Sequence, residues 1–200
     1  MRAVAELARA LHVFWFGQLE ADGTAPPERA RRWFQPDPTF DQDCDRFGDD
    51  LAALPGSIDR AWFASPEHLL AGILLRDQIP RNLYREDPQA FGWDAEARQL
   101  CFFAIDQGAD RALGLDERAF CYMPLMHSER LRDQYLAVGL FTTLRDTAAA
   151  PLRQQAGNYL RHAQQHRDTI LEFGRFPYRN LALGRTSTDA EQAWLNQRAG

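Results

Sequence analysis

Apolar residues recur every three or four positions along nearly the whole chain, and no alternating run persists long enough to make a strand. Leu7, Leu11, Phe14 and Trp15 form the stripe of a first helix. Pro26-Pro27 open a short second helix that closes near "RRWF". In "FDQDCDRFGDDLAAL" the residues Phe40, Cys44, Phe47 and Leu51 share one face. Ser65-Pro66 pairs a helix cap with the residue favoured at the first helical position, which predicts a helix through "EHLLAGILLRDQ". Further helices are predicted at about 94–112, 128–146, 151–173 and 188–197, the last opened by the capping-box spacing Thr188-x-x-Glu191. Gly174 reads as the left-handed stop of the longest helix, with Pro177 preventing its resumption.

Connections between these stretches are short and polar, so neighbouring helices should pack antiparallel. The expectation is one all-α domain over residues 1–200, an array of antiparallel helical hairpins with degenerate repeats. "DQIPRNLYR" (77–85) and "FGRFPYRNLALGR" (173–185) both pass through an apolar residue and a proline to Arg-Asn-Leu. The echo is too brief to prove a duplication. The prolines read as helix ends and the asparagines as side chains that bond local backbone.

Composition narrows the function. Hydrophobic residues make up 45% and charged residues 26% of the 200, a globular balance. No apolar run approaches the roughly 18–20 residues that span a bilayer, so a cytoplasmic protein without membrane attachment is expected. A net charge of −5 without a basic run argues against nucleic acid as a partner. All 23 basic residues are arginine, which removes Schiff-base and phosphate-loop lysines from any mechanism. Cys44, Cys101 and Cys121 lack metal-ligand spacing and read as buried reduced thiols. Nothing in the sequence calls for a cofactor.

The informative residues are polar groups on apolar faces. Asp77 continues the stripe of Leu70, Ile73 and Leu74, so its carboxylate should point inward and need a partner, which nearby arginines supply. His166 lies on the arc of Leu152, Tyr159, Ala163, Ile170 and Phe173, while His162 falls just outside it. In "YMPLMHSE" (122–129), Ser128 reads as an N-cap and Glu129 suits the positive end of a helix dipole. His127 is left without such an explanation. Arg175, Arg179 and Arg185 crowd one loop with Gly174 and Gly184; such forked donors suit a carboxylate or phosphate, or else lock the fold against Asp77, Glu129 or helix carbonyls.

The segments "LLRDQIPRNLYR", "ERAFCYMPLMHSE" and "HRDTILEFGRFPYRNLALGRTST" resemble the signature of an uncharacterised bacterial family, domain-of-unknown-function family 924, from "FWFG" at 14–17 onward. The resemblance implies an all-helical fold similar to tetratricopeptide-repeat proteins, curving into a superhelix, and brings no established activity. Its motif positions fall on Asp77, Gln78, Pro80, Arg81 and Asn82, on Met126, His127, Ser128, Glu129 and His166, and on Gly174–Pro177 with Arg179, Asn180, Gly184 and Arg185. Tyr178 stands where the family pattern has histidine, so a mechanism needing an imidazole there does not transfer.

Three functions are open on these residues. In the first, a small anionic ligand is held by Arg81, Asn82, Arg175, Arg179, Asn180 and Arg185 while Asp77, His127, Glu129 or His166 moves protons, with no reaction class indicated. In the second, a helical-repeat surface binds a peptide or protein. In the third, His127, Glu129, His166 and Asp77 hold a metal. The oligomeric state is not legible.

Overall fold

The computed structural model describes residues 2–35 and 37–198, and every regular element in them is helical. Their contacts gather into two compact units, Met1–Arg85 with Ala90–Pro124 and Glu86–Gln89 with Leu125–Gly200.

The first unit opens with α1 (Val4–Phe16), whose predicted stripe of Leu7, Leu11, Phe14 and Trp15 is buried. The short helices α2 (Pro27–Phe34), α3 (Pro38–Cys44) and α4 (Gly48–Ala52) follow. The face predicted to run unbroken from Phe40 to Leu51 is fully buried, but a 3₁₀ turn at Asp45–Phe47 divides it into α3 and α4. Phe14 stacks on Phe40 at 5.2 Å, and Trp15 and Phe16 each meet Phe120 edge-on, building an aromatic core.

Ser65 caps α5 (Pro66–Ile73) as expected, its Oγ accepting from the His68 amide at 3.2 Å. That helix does not end at Pro80. It widens into a π turn at Leu74–Gln78 and continues as α6 (Ile79–Leu83). Pro80 has no N–H to give, and the wider turn ahead of it, closed by the Ile79 amide on the Leu74 carbonyl, absorbs the missing bond. Arg81 and Asn82 then serve carbonyls of this turn: Arg81 Nη1 donates to the Asp77 carbonyl (2.5 Å) and Asn82 Nδ2 to that of Gln78 (2.9 Å). The Pro-Arg-Asn triplet is therefore continuation rather than punctuation here.

Arg76, on the same turn, has no solvent exposure. Its guanidinium lies over the Trp62 ring at 5.0 Å, donates to the Gly72 carbonyl and faces Glu96 at 3.4 Å. The helix predicted at 94–112 is shorter, α7 (Asp94–Asp106) followed by a 3₁₀ turn at Ala109–Ala112. A helix absent from the sequence reading, α8 (Leu115–Met126), carries Pro124 in its last turn. The three cysteines are free and buried; burial pushes the Cys44 thiol up to about 12.

The second unit is built on a hairpin of α9 (Leu131–Thr147) and α10 (Arg153–Phe173), closed by α11 (Asp189–Arg198). Gly174 ends α10 in the left-handed conformation (φ 70°), as predicted. Thr188 and Glu191 form the predicted capping box: the Glu191 amide donates to Thr188 Oγ1 (3.2 Å) and the Thr188 amide to Glu191 Oε2 (2.7 Å). No helix among the described residues is long and apolar enough to cross a membrane.

Candidate functional site

The sequence-predicted residues divide between the units. Asp77, Arg81 and Asn82 belong to the first. Asp77 is wholly enclosed, with Gln78 Nε2 donating to its Oδ2 at 2.6 Å and Arg81 Nη1 3.2 Å from its Oδ1. Arg81 also meets Asp94 at 2.8 Å. The expected arginine partner is present, and the carboxylate has no route to a solvent-borne ligand.

The other candidates belong to the second unit, where the loop after α10 decides the geometry. Arg175 directs its fork onto Glu191, Nε to Oε1 at 2.6 Å and Nη2 to Oε2 at 2.7 Å. That bond, with the Thr188 amide, holds the Glu191 carboxyl down at about 2. Arg185 grips Glu129 in the same way, Nη1 to Oε1 and Nη2 to Oε2, both at 2.9 Å. The Phe176 amide adds a bond to Glu129 Oε1 at 2.9 Å. Burial alone would raise the Glu129 pKa, but Arg185 and that amide outweigh it and the net direction is down. Of the two readings open for these arginines, the geometry gives internal pairing to Arg175 and Arg185. Asn180 is buried and donates to Ser187 Oγ at 3.1 Å rather than to backbone.

Ser128 is not the cap of α9, which starts after Arg130. Its hydroxyl donates to Asp133 Oδ2 at 2.7 Å and accepts from the Arg130 amide. Gln134, which the sequence reading passed over, staples this turn by donating to the carbonyls of Met126 (2.7 Å) and Ser128 (2.6 Å). The available signal was a glutamine one helical turn before the apolar Ala137, Phe141 and Leu144 of the buried face.

His127, His166 and Arg179 do come together. Arg179 Nη2 donates to the His127 carbonyl at 2.8 Å, and its guanidinium lies over Phe176 at 4.7 Å. The imidazoles of His127 and His166 are 6.1 Å apart between centroids, and Phe176 packs edge-on to His166 at 5.4 Å. His166 Nδ1 sits 2.8 Å from the His162 carbonyl. A carbonyl only accepts, so Nδ1 carries the proton and Nε2 bears the lone pair of the neutral ring. Burial, then the nearby His127, lower the His166 pKa from 6.5 to about 4, with Arg179 adding to the effect. His166 opens on a cavity of about 60 Å³ walled also by Gln165, Thr169, Phe176, Tyr178 and Arg198. Tyr178 stacks on Phe176 at 5.3 Å. Glu129 is engaged by Arg185, and no group of three or more His, Cys, Asp or Glu side chains among the described residues is placed to hold an ion.

An all-helical chain with a C-terminal loop clamped by two Arg–Glu forks, beside a neutral histidine, is the arrangement these residues define. The chain belongs to the bacterial protein family of unknown function DUF924, whose model matches residues 11–199. A solved structure of a protein of unknown function, ATU0120 from Agrobacterium tumefaciens, has the same fold with a TM-score of 0.79 at 33% identity, covering 98% of this chain and 99% of that one. The chain is also 34% identical over 124 residues to a protein named ATP synthase subunit delta from Nitratidesulfovibrio vulgaris (strain DSM 19637 / Miyazaki F), spanning 58% of this chain and 63% of that relative.

Proposed function

We propose that the second unit binds a small hydroxylated anion, with His166 as the residue that reads its hydroxyl. The observation carrying this reading is the placement of His166, its Nδ1 2.8 Å from the His162 carbonyl and its ring lining a small cavity shared with Gln165, Thr169 and Arg198. A neutral Nε2 accepts a hydrogen bond from an O–H group. Arg198 at the cavity wall and Arg179 behind it supply positive potential for the anionic end. Any chemistry at the site would begin with His166 as proton acceptor.

The test is an NMR titration of the ring nitrogens with glycolate. Support would be a saturable shift of His166 Nε2 that weakens about tenfold in Arg198→Gln, as loss of a charged contact implies. A flat titration, or a free ring protonated on Nε2 instead of Nδ1, would sink it. A peptide-binding surface of the tetratricopeptide kind is the second reading, favoured by Leu181 at 83% and Tyr178 at 47% exposure in the same loop. It predicts that Leu181→Ser, and not His166→Gln, abolishes capture of an apolar peptide.

A further inference from the structure

The arginines expected to hold an anion are Arg81 and the three of the C-terminal loop, yet Arg81, Arg175 and Arg185 already meet carboxylates. A different set, in the first unit, includes two that meet no carboxylate among the described residues. Arg2, Arg9, Arg29, Arg32 and Arg46 wall one cleft of about 580 Å³ beside α1. That volume lies within the ordinary range of small-molecule sites.

Among the described residues, three carboxylates meet these five guanidiniums. Asp50 takes Arg2 at 2.7 Å, Asp37 takes Arg32 at 2.9 Å, and Asp43 is shared by Arg32 (3.1 Å) and Arg46 (3.5 Å). Within that same set of residues no carboxylate pairs with Arg9 or Arg29. Arg29 spends one donor on the Phe14 carbonyl (3.0 Å) and, having five, keeps the others for a ligand. The Arg2 guanidinium lies over Phe47 at 5.1 Å and that of Arg46 over Phe14 at 5.0 Å, so two of the forks are held by rings before anything binds. Ala10, Val13 and Phe14 give the cleft an apolar side. Two uncompensated positive charges in a chain of net charge −5 are a local feature, not a reflection of an overall basic surface.

We infer that this cleft is a binding site for a phosphate monoester, its dianionic head between Arg9 and Arg29 and its organic part against Val13 and Phe14. A tetrahedral oxyanion presents several acceptors to converging guanidinium forks, and two charges match the two that lack partners. The inference goes beyond the His166 site and does not depend on it, since the two use different residues in different units.

The same head group occurs on soluble esters and on anionic lipids, so the experiment has two arms with the full chain. The first is calorimetric titration with glycerol 3-phosphate at low ionic strength. The second is co-sedimentation with phosphatidylcholine vesicles that contain or lack phosphatidic acid. Saturable binding in the first arm identifies a soluble ester as the source; binding only to vesicles with phosphatidic acid identifies a lipid head group. In either arm Arg9→Gln, an exposed position, should weaken binding about tenfold with unchanged circular dichroism. Arg60→Gln, the same charge change outside the cleft, should leave it unaltered. Absence of binding in both arms, or equal losses in the two variants, would overturn the assignment.

Discussion

Replacing Glu129 by glutamine tests whether the C-terminal loop is fastened from α9's approach segment. The substituted side chain keeps one acceptor for the Phe176 amide but loses the charge and the second acceptor that Arg185 uses. Fully exposed ion pairs are worth at most about 1 kcal/mol, and breaking fully buried ones costs about 3–5 kcal/mol. The two side chains keep 24% and 28% of their exposure, which places Glu129→Gln between these limits, at about 2 kcal/mol. The assay is native-state hydrogen exchange at the Phe176 amide, where about 2 kcal/mol corresponds to roughly thirtyfold faster exchange. The pH dependence has a definite sign. Because the folded Glu129 pKa lies below its ordinary 4.5, the contribution is complete above that value and is lost as pH falls through the folded one. The gap between wild type and Glu129→Gln should therefore close on acidification. Exchange within about threefold of wild type at neutral pH, or a gap that widens in acid, would refute the argument.

Other outcomes follow from the same contacts. Gly174→Ala should cost about 1–2 kcal/mol in urea denaturation, through φ of 70° alone, because the added methyl meets no atom within 4 Å. Gly72→Ala has the opposite cause: its Cβ would lie 2.9 Å from Leu100 Cδ1 and 3.0 Å from the Trp62 ring, and overpacking should cost about 1–3 kcal/mol by the same assay. His166 should titrate near 4 by NMR. Since its folded pKa is depressed, the protein should lose stability as pH falls from about 6.5 to 4, and His166→Gln should remove that part of the slope.

Much of the helical plan was legible because it rests on local chemistry. Ser65, Thr188 with Glu191, and Gly174 each announce a boundary through a single cap, and the structure places all three there. Proline misled in one place. Pro80 lies inside a helix, because the π turn ahead of it takes up the N–H that proline lacks. Position on a greasy face correctly marked Asp77 as enclosed, and it brought His166 against Phe176. The role of each arginine was not legible, since which carboxylate meets which fork depends on contacts 16 or 56 residues apart in sequence, as for Arg175–Glu191 and Arg185–Glu129. The arginine cleft went unseen for the same reason: its members are spread from Arg2 to Arg46 and share no motif.

The π turn at Leu74–Gln78 amounts to one residue more than an α-helix of the same rise would hold. Everything after it is turned by roughly 100° from where an uninterrupted helix would place it. Removing one residue from this stretch would spin α6 by that angle, carrying Arg81 away from Asp94. Spacing in this segment is thus fixed by side chains on both sides of the turn at once. An insertion or deletion of a single codon there would be tolerated far less readily than a substitution at most of the same positions.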